Sequence, residues 1–178
     1  PSLYAGYAIE RHAGALTDTI PFRGTTRLNN LDYVLTLSTP QFRHFSLGGY
    51  LVWGKDVNFF EWSRASIVNV SLGANWRPSE QLRLDGNYVL QQYRRHSDGS
   101  IVGRTHLPRL RAEYQISRSL FVRMVGEFRA DQQDALRDDG RTELPIAVYD
   151  PDAASYTRVG AENLKVLRAD WLVAFQPS

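Results

Sequence analysis

The chain has 178 residues, of which 22 % are charged, and a formal net charge of only +2. Such a near-neutral chain carries no basic field of the kind a nucleic acid demands, so nucleic-acid binding is set aside. Without a single cysteine it can be neither a disulfide scaffold nor a thiolate metal site, and it contains no apolar run long enough for a transmembrane helix. Aromatic residues are plentiful, with nine Tyr and four Trp, while the mean hydropathy is −0.37. Membrane-spanning strands give a far weaker hydropathy signal than spanning helices, so a membrane barrel stays open.

The first residues, PSLYAGYA, lack Met and already alternate like a strand, which leads us to expect an internal fragment or a processed product. The first strand is expected over Leu3–Arg11, followed by a Gly-, Thr- and Asn-rich connection from Pro21 to Asn30. A second strand, Leu31–Ser38, puts Leu31, Tyr33, Leu35 and Leu37 on one face, and Thr39-Pro40-Gln41 turns the chain. The third, about Phe45–Gly54, sets Phe45, Leu47, Leu51 and Trp53 against Ser46, Gly48 and Tyr50. After the loop KDVNFFEWSRA, a fourth strand over Ser66–Trp76 separates Val68, Val70, Leu72, Ala74 and Trp76 from Asn69, Ser71, Gly73 and Asn75.

Arg77-Pro78-Ser79 is a short turn into the fifth strand, Leu82–Arg95, where Leu82, Leu84, Tyr88 and Leu90 oppose Arg83, Asp85, Asn87 and Gln91. Asp98-Gly99 marks a hairpin tip. The next pair of strands, within Leu107–Ala130, forms a hairpin about Ser117-Arg118-Ser119. One of its faces holds Leu110, Ala112, Tyr114, Val122, Met124 and Phe128, and the other holds Arg109, Arg111, Glu113, Arg123, Glu127 and Arg129. Asp131–Asn163 looks irregular, and an eighth strand over Lys165–Phe175 turns Leu167, Ala169, Trp171, Val173 and Phe175 away from Arg168 and Asp170. Gln176-Pro177-Ser178 resembles another short turn.

Short connections (TPQ, RPSE, SRS, QPS) alternate with long polar ones, as in outer-membrane barrels with short periplasmic turns and long external loops. Trp53, Trp76 and Phe175 fall where an interfacial aromatic girdle would lie. In hydrocarbon a sheet must close to satisfy its backbone, leaving the apolar face outside and charges within. Arg83, Asp85, Arg109, Arg111, Glu113, Arg123, Glu127, Arg129, Arg168 and Asp170 are then lumen-facing. A soluble sandwich or barrel alternates equally well, with these charges outside and an apolar core or ligand within.

The segments LRLDGNYVL, PRLRAEYQISRSLFVRMVGEFRADQQDALRDDGRTELPI and LRADWLVAFQPS resemble the C-terminal region of a bacterial family of unknown function. Its members join a carbohydrate-binding family 9-like β-sandwich to an outer-membrane barrel. The resemblance runs from about Gly48 onward and is strongest over Leu82–Pro145. It implies a Gram-negative outer-membrane location, a sandwich domain and strands preceding this segment, and more strands after Ser178. The expectation is an all-β fold: one segment, residues 1–178, of an antiparallel up-and-down transmembrane β-barrel. Eight strands are visible, an even number that could close alone; the resemblance implies instead a slice of a larger barrel.

The expected function is membrane anchor or channel, serving glycan or nutrient handling. The lipid bilayer is the partner, together with a polysaccharide held by the absent sandwich, and no cofactor is implied. Weaker candidate sites are a rim hydrolase built on His96, Asp98 and His106, and a Ca²⁺ loop using Asp134, Asp138 and Asp139, with Asp131 and Glu143 nearby. Phe59, Phe60 and Trp62 form an aromatic cluster that either stacks on sugars or anchors the interface. No nucleophile motif supports catalysis. Solvated loop histidines, a solvated acidic loop and membrane anchoring are the plainer accounts of these three groups. Whether Val70, Leu84, Tyr114, Val122 and Trp171 converge on one another separates a soluble core from a lipid-facing surface.

Overall fold

The computed structural model describes residues 7–12, 15–21, 23 and 27–175. The closing turn expected at Gln176–Ser178 and the start of the first expected strand lie outside them. Among the described residues there is no helix, and eleven strands form two antiparallel sheets. The all-β expectation holds.

The larger sheet contains β3 (Leu31–Ser38), β4 (Phe45–Asn58), β5 (Ser63–Trp76), β6 (Leu82–Arg95), β7 (Ile101–Gln115), β8 (Leu120–Gln133) and β11 (Glu162–Phe175). Its order is β11-β8-β7-β6-β5-β4-β3, an up-and-down meander interrupted only between β8 and β11. The sheet is open, since β3 and β11 pair with one neighbour each. The alternation that identified the strands also sets their register. Leu84 pairs with Ala112, Tyr114 with Val122 and Leu51 with Val70, so apolar residues meet apolar residues across every hairpin.

The smaller sheet has the order β10-β9-β1-β2, built from β1 (Tyr7–His12), β2 (Ala15–Pro21), β9 (Ile146–Asp150) and β10 (Ser155–Arg158). Three expectations are corrected here. The first expected strand belongs to this sheet, with β1 pairing with β2 and β9, and is no part of the meander. Residues read as irregular between Asp131 and Asn163 include the end of β8 and the hairpin β9–β10. The expected long loop KDVNFFEWSRA is mostly strand, leaving only Phe59–Trp62 between β4 and β5. Trp62 sits there at φ 46, a left-handed conformation uncommon for a bulky residue, and its side chain packs on the core.

That core is small and lies at one end. Ile9, Val102, Leu136 and Ile146 are buried together, flanked by Ile20, Trp62, Tyr93 and Val159. It joins the small sheet to the ends of β6 and β7 and to the segment after β8, forming a cap beside the β4–β5 and β6–β7 hairpin tips.

Candidate functional site

The register places five alternating positions per strand on one face of the large sheet: Phe45–Trp53 on β4, Val68–Trp76 on β5, Leu82–Leu90 on β6, Leu120–Phe128 on β8 and Leu167–Phe175 on β11. Each stretch is nine residues, about 27 Å along the strand. On this face no Asp, Glu, Lys or Arg falls within the band among the described residues. His106 stands at its upper edge, where its Nδ1 is 2.8 Å from the Tyr88 hydroxyl, so each polar group answers the other. One step beyond the band the same face becomes polar, with Lys55, Ser66, Gln92, Arg104 and Lys165.

The apolar side chains do not converge. Trp171 is 77 % exposed, Leu167 75 % and Tyr114 46 %, and every substantial strand–strand contact is between sheet neighbours. The footprint of seven strands and nine residues is roughly 800 Å². The largest apolar patch on an ordinary soluble monomer is about 300–600 Å². At about 25 cal/mol per Å², leaving this face wet would cost about 20 kcal/mol, more than the usual 5–15 kcal/mol stability of a domain. Something apolar must cover it.

The opposite face carries the charges, and they are ordered. One rung runs Arg168, Glu127, Arg109, Asn87, Gly73, Gly48 from β11 to β4. The next runs Asp170, Val125, Arg111, Asp85, Asn75, Ser46, and a third runs Leu172, Arg123, Glu113, Arg83. Each carboxylate but Asp170 thus stands directly across from an arginine on a neighbouring strand. Along the strands Arg83 pairs with Asp85 at 3.2 Å, Arg111 with Glu113, and Arg129 with Asp131 at 2.5 Å; Asn75 donates to Asp85 across the β5–β6 ladder. All are partly exposed, so singly they contribute little stability, about 0–1 kcal/mol each. Their residues occupy β6, β7, β8 and β11, while the same face of β4 and β5 is lined by Ser, Gly, Asn, Tyr50, Val52 and Ile67.

At the cap the chemistry is different. The Arg95 guanidinium, 1 % exposed, meets the Glu61 carboxylate at 2.6 Å and Asp134 at 2.6 Å, and donates to the Ala135 carbonyl at 2.8 Å and Ser100 Oγ at 2.9 Å. Glu61 also accepts from Asn58 Nδ2 at 2.8 Å and the Arg137 amide at 3.0 Å, so the buried pair is fully bonded. Hydrogen bonding from Arg95 holds the Asp134 carboxyl below its usual value. Asp98 is held well below the carboxylate range by the Ser100 amide and hydroxyl, then by Arg137.

The weaker candidates scatter. His96 lies in the turn after β6, its amide donating to the Arg64 carbonyl, and Asp98 is engaged by Ser100 and Arg137. Contrary to the expectation that it shares their loop, His106 lies within β7, several rungs down the ladder opposite Leu90. Asp138 is taken by Arg141 and Thr142, Asp139 by Arg137 and Ser97, and Glu143 by Arg137, so the acidic loop is spent on guanidinium pairs. No three His, Asp or Glu side chains gather as metal ligands among the described residues. The aromatic cluster divides: Phe59, 57 % exposed, meets Trp62 edge-on with centroids 5.8 Å apart and Trp62 packs against the core, while Phe60 meets Tyr93 edge-on. Trp53, Trp76 and Phe175 are exposed on the apolar face. Sequence reasoning missed the Glu61–Arg95 pair, whose members lie 34 positions apart with no shared pattern.

These features define an antiparallel sheet with one apolar and one charged face, capped at one end. Comparison with protein-family models, curated proteins and solved structures returns no match.

Proposed function

We propose that this chain forms the wall of a Gram-negative outer-membrane β-barrel, serving as membrane anchor or channel, with its charged face toward the lumen. The single observation that carries the reading is the nine-residue, charge-free band that continues across the sheet with nothing packed on it. Transmembrane strands need about 9–11 residues.

The edges of the band support the reading independently. Trp171, Met124, Ala112, Leu84, Trp76 and Phe45 share one rung. On β11 and β8 the band continues four residues below that rung, to Phe175 and Leu120; on β7 and β6 two, to Tyr114 and Leu82; on β5 and β4 it ends there. The upper edge slips the same way, from Leu167 on β11 to Trp53 on β4. A slip of four residues over the five steps from β11 to β4, at spacings of about 3.3 Å along and 4.8 Å across, tilts the strands by about 30° to a plane-parallel band. Transmembrane barrel strands tilt in the same sense, by about 35–45°. A soluble core has no reason to be bounded by two parallel planes. The resemblance to the sandwich-bearing family belongs to the same proposal, and with it a role in handling glycans or nutrients.

Cysteine labelling in liposomes tests it. Leu84→Cys and Val173→Cys should resist a membrane-impermeant maleimide, while Arg64→Cys near the cap reacts. A protein that stays monodisperse in detergent-free buffer, with all three sites equally reactive, overturns the proposal. Conductance in planar bilayers then separates channel from anchor.

A further inference from the structure

Just above the band, on the charged face, β6, β7, β8 and β11 enclose a groove between the ladder, which lends it Arg129 and Asp131, and the cap, which lends it Tyr93. Its floor is aromatic. Phe60 stands edge-on to Tyr93, with centroids 6.1 Å apart and planes at 82°, and the Phe60 ring is 39 % exposed. It lies against Gly103, where a Cβ would come 3.3 Å from Phe60 Cε2, a tight contact. The wall is polar and fixed. Thr105 Oγ1 donates to Asp131 Oδ1 at 2.8 Å and Arg129 Nε to Asp131 Oδ2 at 2.5 Å, while Gln91 and Gln133 add amides that both donate and accept.

The balance of charge decides the class of ligand. Arg104 turns to the other face and bonds Gln92, so the groove sets Arg129 against Asp131 and Glu162, a balance that disfavours an anion. What it offers is a ring face for C–H groups beside planar donors and acceptors spaced for neighbouring hydroxyls. We propose that this groove binds one ring of a neutral saccharide, with Phe60 as platform and Asp131, held by Arg129 and Thr105, as the hydroxyl acceptor. This deepens the glycan reading above and rests on it for the placement of the groove at the barrel mouth. Of the three aromatic residues in the β4–β5 turn, it assigns the contact to Phe60 alone.

The test is a glycan array, followed by calorimetry on its best neutral hit, with the purified full chain in detergent micelles. Neutral oligosaccharides should bind in preference to uronic-acid or sulfated ones. Phe60→Ala and Asp131→Asn should each weaken binding at least tenfold, and Gly103→Val, which fills the groove without altering charge, should do the same. Phe59→Ala, one residue away but outside the groove, should leave affinity within twofold, and Phe60→Tyr should retain it. Absence of any neutral ligand, binding confined to acidic glycans, or equal losses at Phe59 and Phe60 would each overturn the proposal. Binding in micelles and maleimide protection in liposomes are separate readouts, so the saccharide site and the membrane wall can fail independently.

Discussion

Ile146 and Leu167 are both aliphatic residues on antiparallel strands, yet the first is 0 % exposed and the second 75 %. Around Ile146 the chain behaves as water demands: Ile9, Val102 and Leu136 converge, and the deeply buried guanidinium of Arg95 has every donor group engaged. Around Leu167 apolar side chains stand in a flat array, while Arg, Asp and Glu project from the opposite face. The same alternating strands continue through both regions, because β6 and β7 run from the band into the cap. What changes is the medium each stretch is built to meet. The contrast teaches that periodicity alone locates a face, and only the presence or absence of a second packed layer says what that face touches.

The strongest way to break this contrast is to place a charge in the middle of the band. Leu72→Arg should cost about 2–4 kcal/mol of stability in lipid, read as a lowered urea midpoint in liposomes, whereas Ser71→Arg on the opposite face should leave it nearly unchanged. Equal effects would erase the distinction between the faces. The cap is a target of at least equal size. Arg95→Met strands the buried Glu61 carboxylate, an error worth about 3–5 kcal/mol. Its effect should be confined to hydrogen-exchange protection of residues 134–147, with the band still protected. The double variant Arg95→Met/Glu61→Leu should recover part of the loss.

Acidification sharpens the comparison further. The folded-state values of Asp134 and Asp98 lie below their unfolded ones, so their stabilisation is present above about pH 4 and is lost as pH falls through the depressed values. Cap protection factors should therefore hold steady down to pH 4 and fall only below it, and Asp134→Asn should weaken that acid dependence. The smallest expected effect comes from Arg109→Ala. Arg109 is exposed on the charged face, so stability should move by less than about 0.5 kcal/mol. Reversal potential in a planar bilayer is where the change would register.

Much of the large sheet was legible because each of its strands carries its own period-two signal, and five short connections tie neighbours together. The charged ladder followed from the same pattern. Expectation failed where strands continue without apolar alternation, as in Lys55–Asn58 and Asp131–Gln133, because a polar β-ribbon looks like a loop. It failed again for β1: alternation reveals a strand but not its partner, and Ala8 pairs with Ala147, far along the chain. The groove at Phe60 was half visible, since the aromatic cluster was plain, while the role of Gly103 depends on a register no local pattern encodes.

The meander also fixes an order of assembly. From β3 to β8 every partner is the next strand, reached through four to six residues, so hairpins can add one after another at small entropic cost. The last pairing, β8 with β11, must close residues 134–161, which carry β9 and β10. Closing that longer loop costs about 1.5 kcal/mol more than closing a five-residue turn, and docking β9 on β1 while Glu61 and Arg95 gather the segment recovers it. The strand that arrives late is thereby preceded by its own scaffold, and a chain with that scaffold broken should accumulate with β11 undocked.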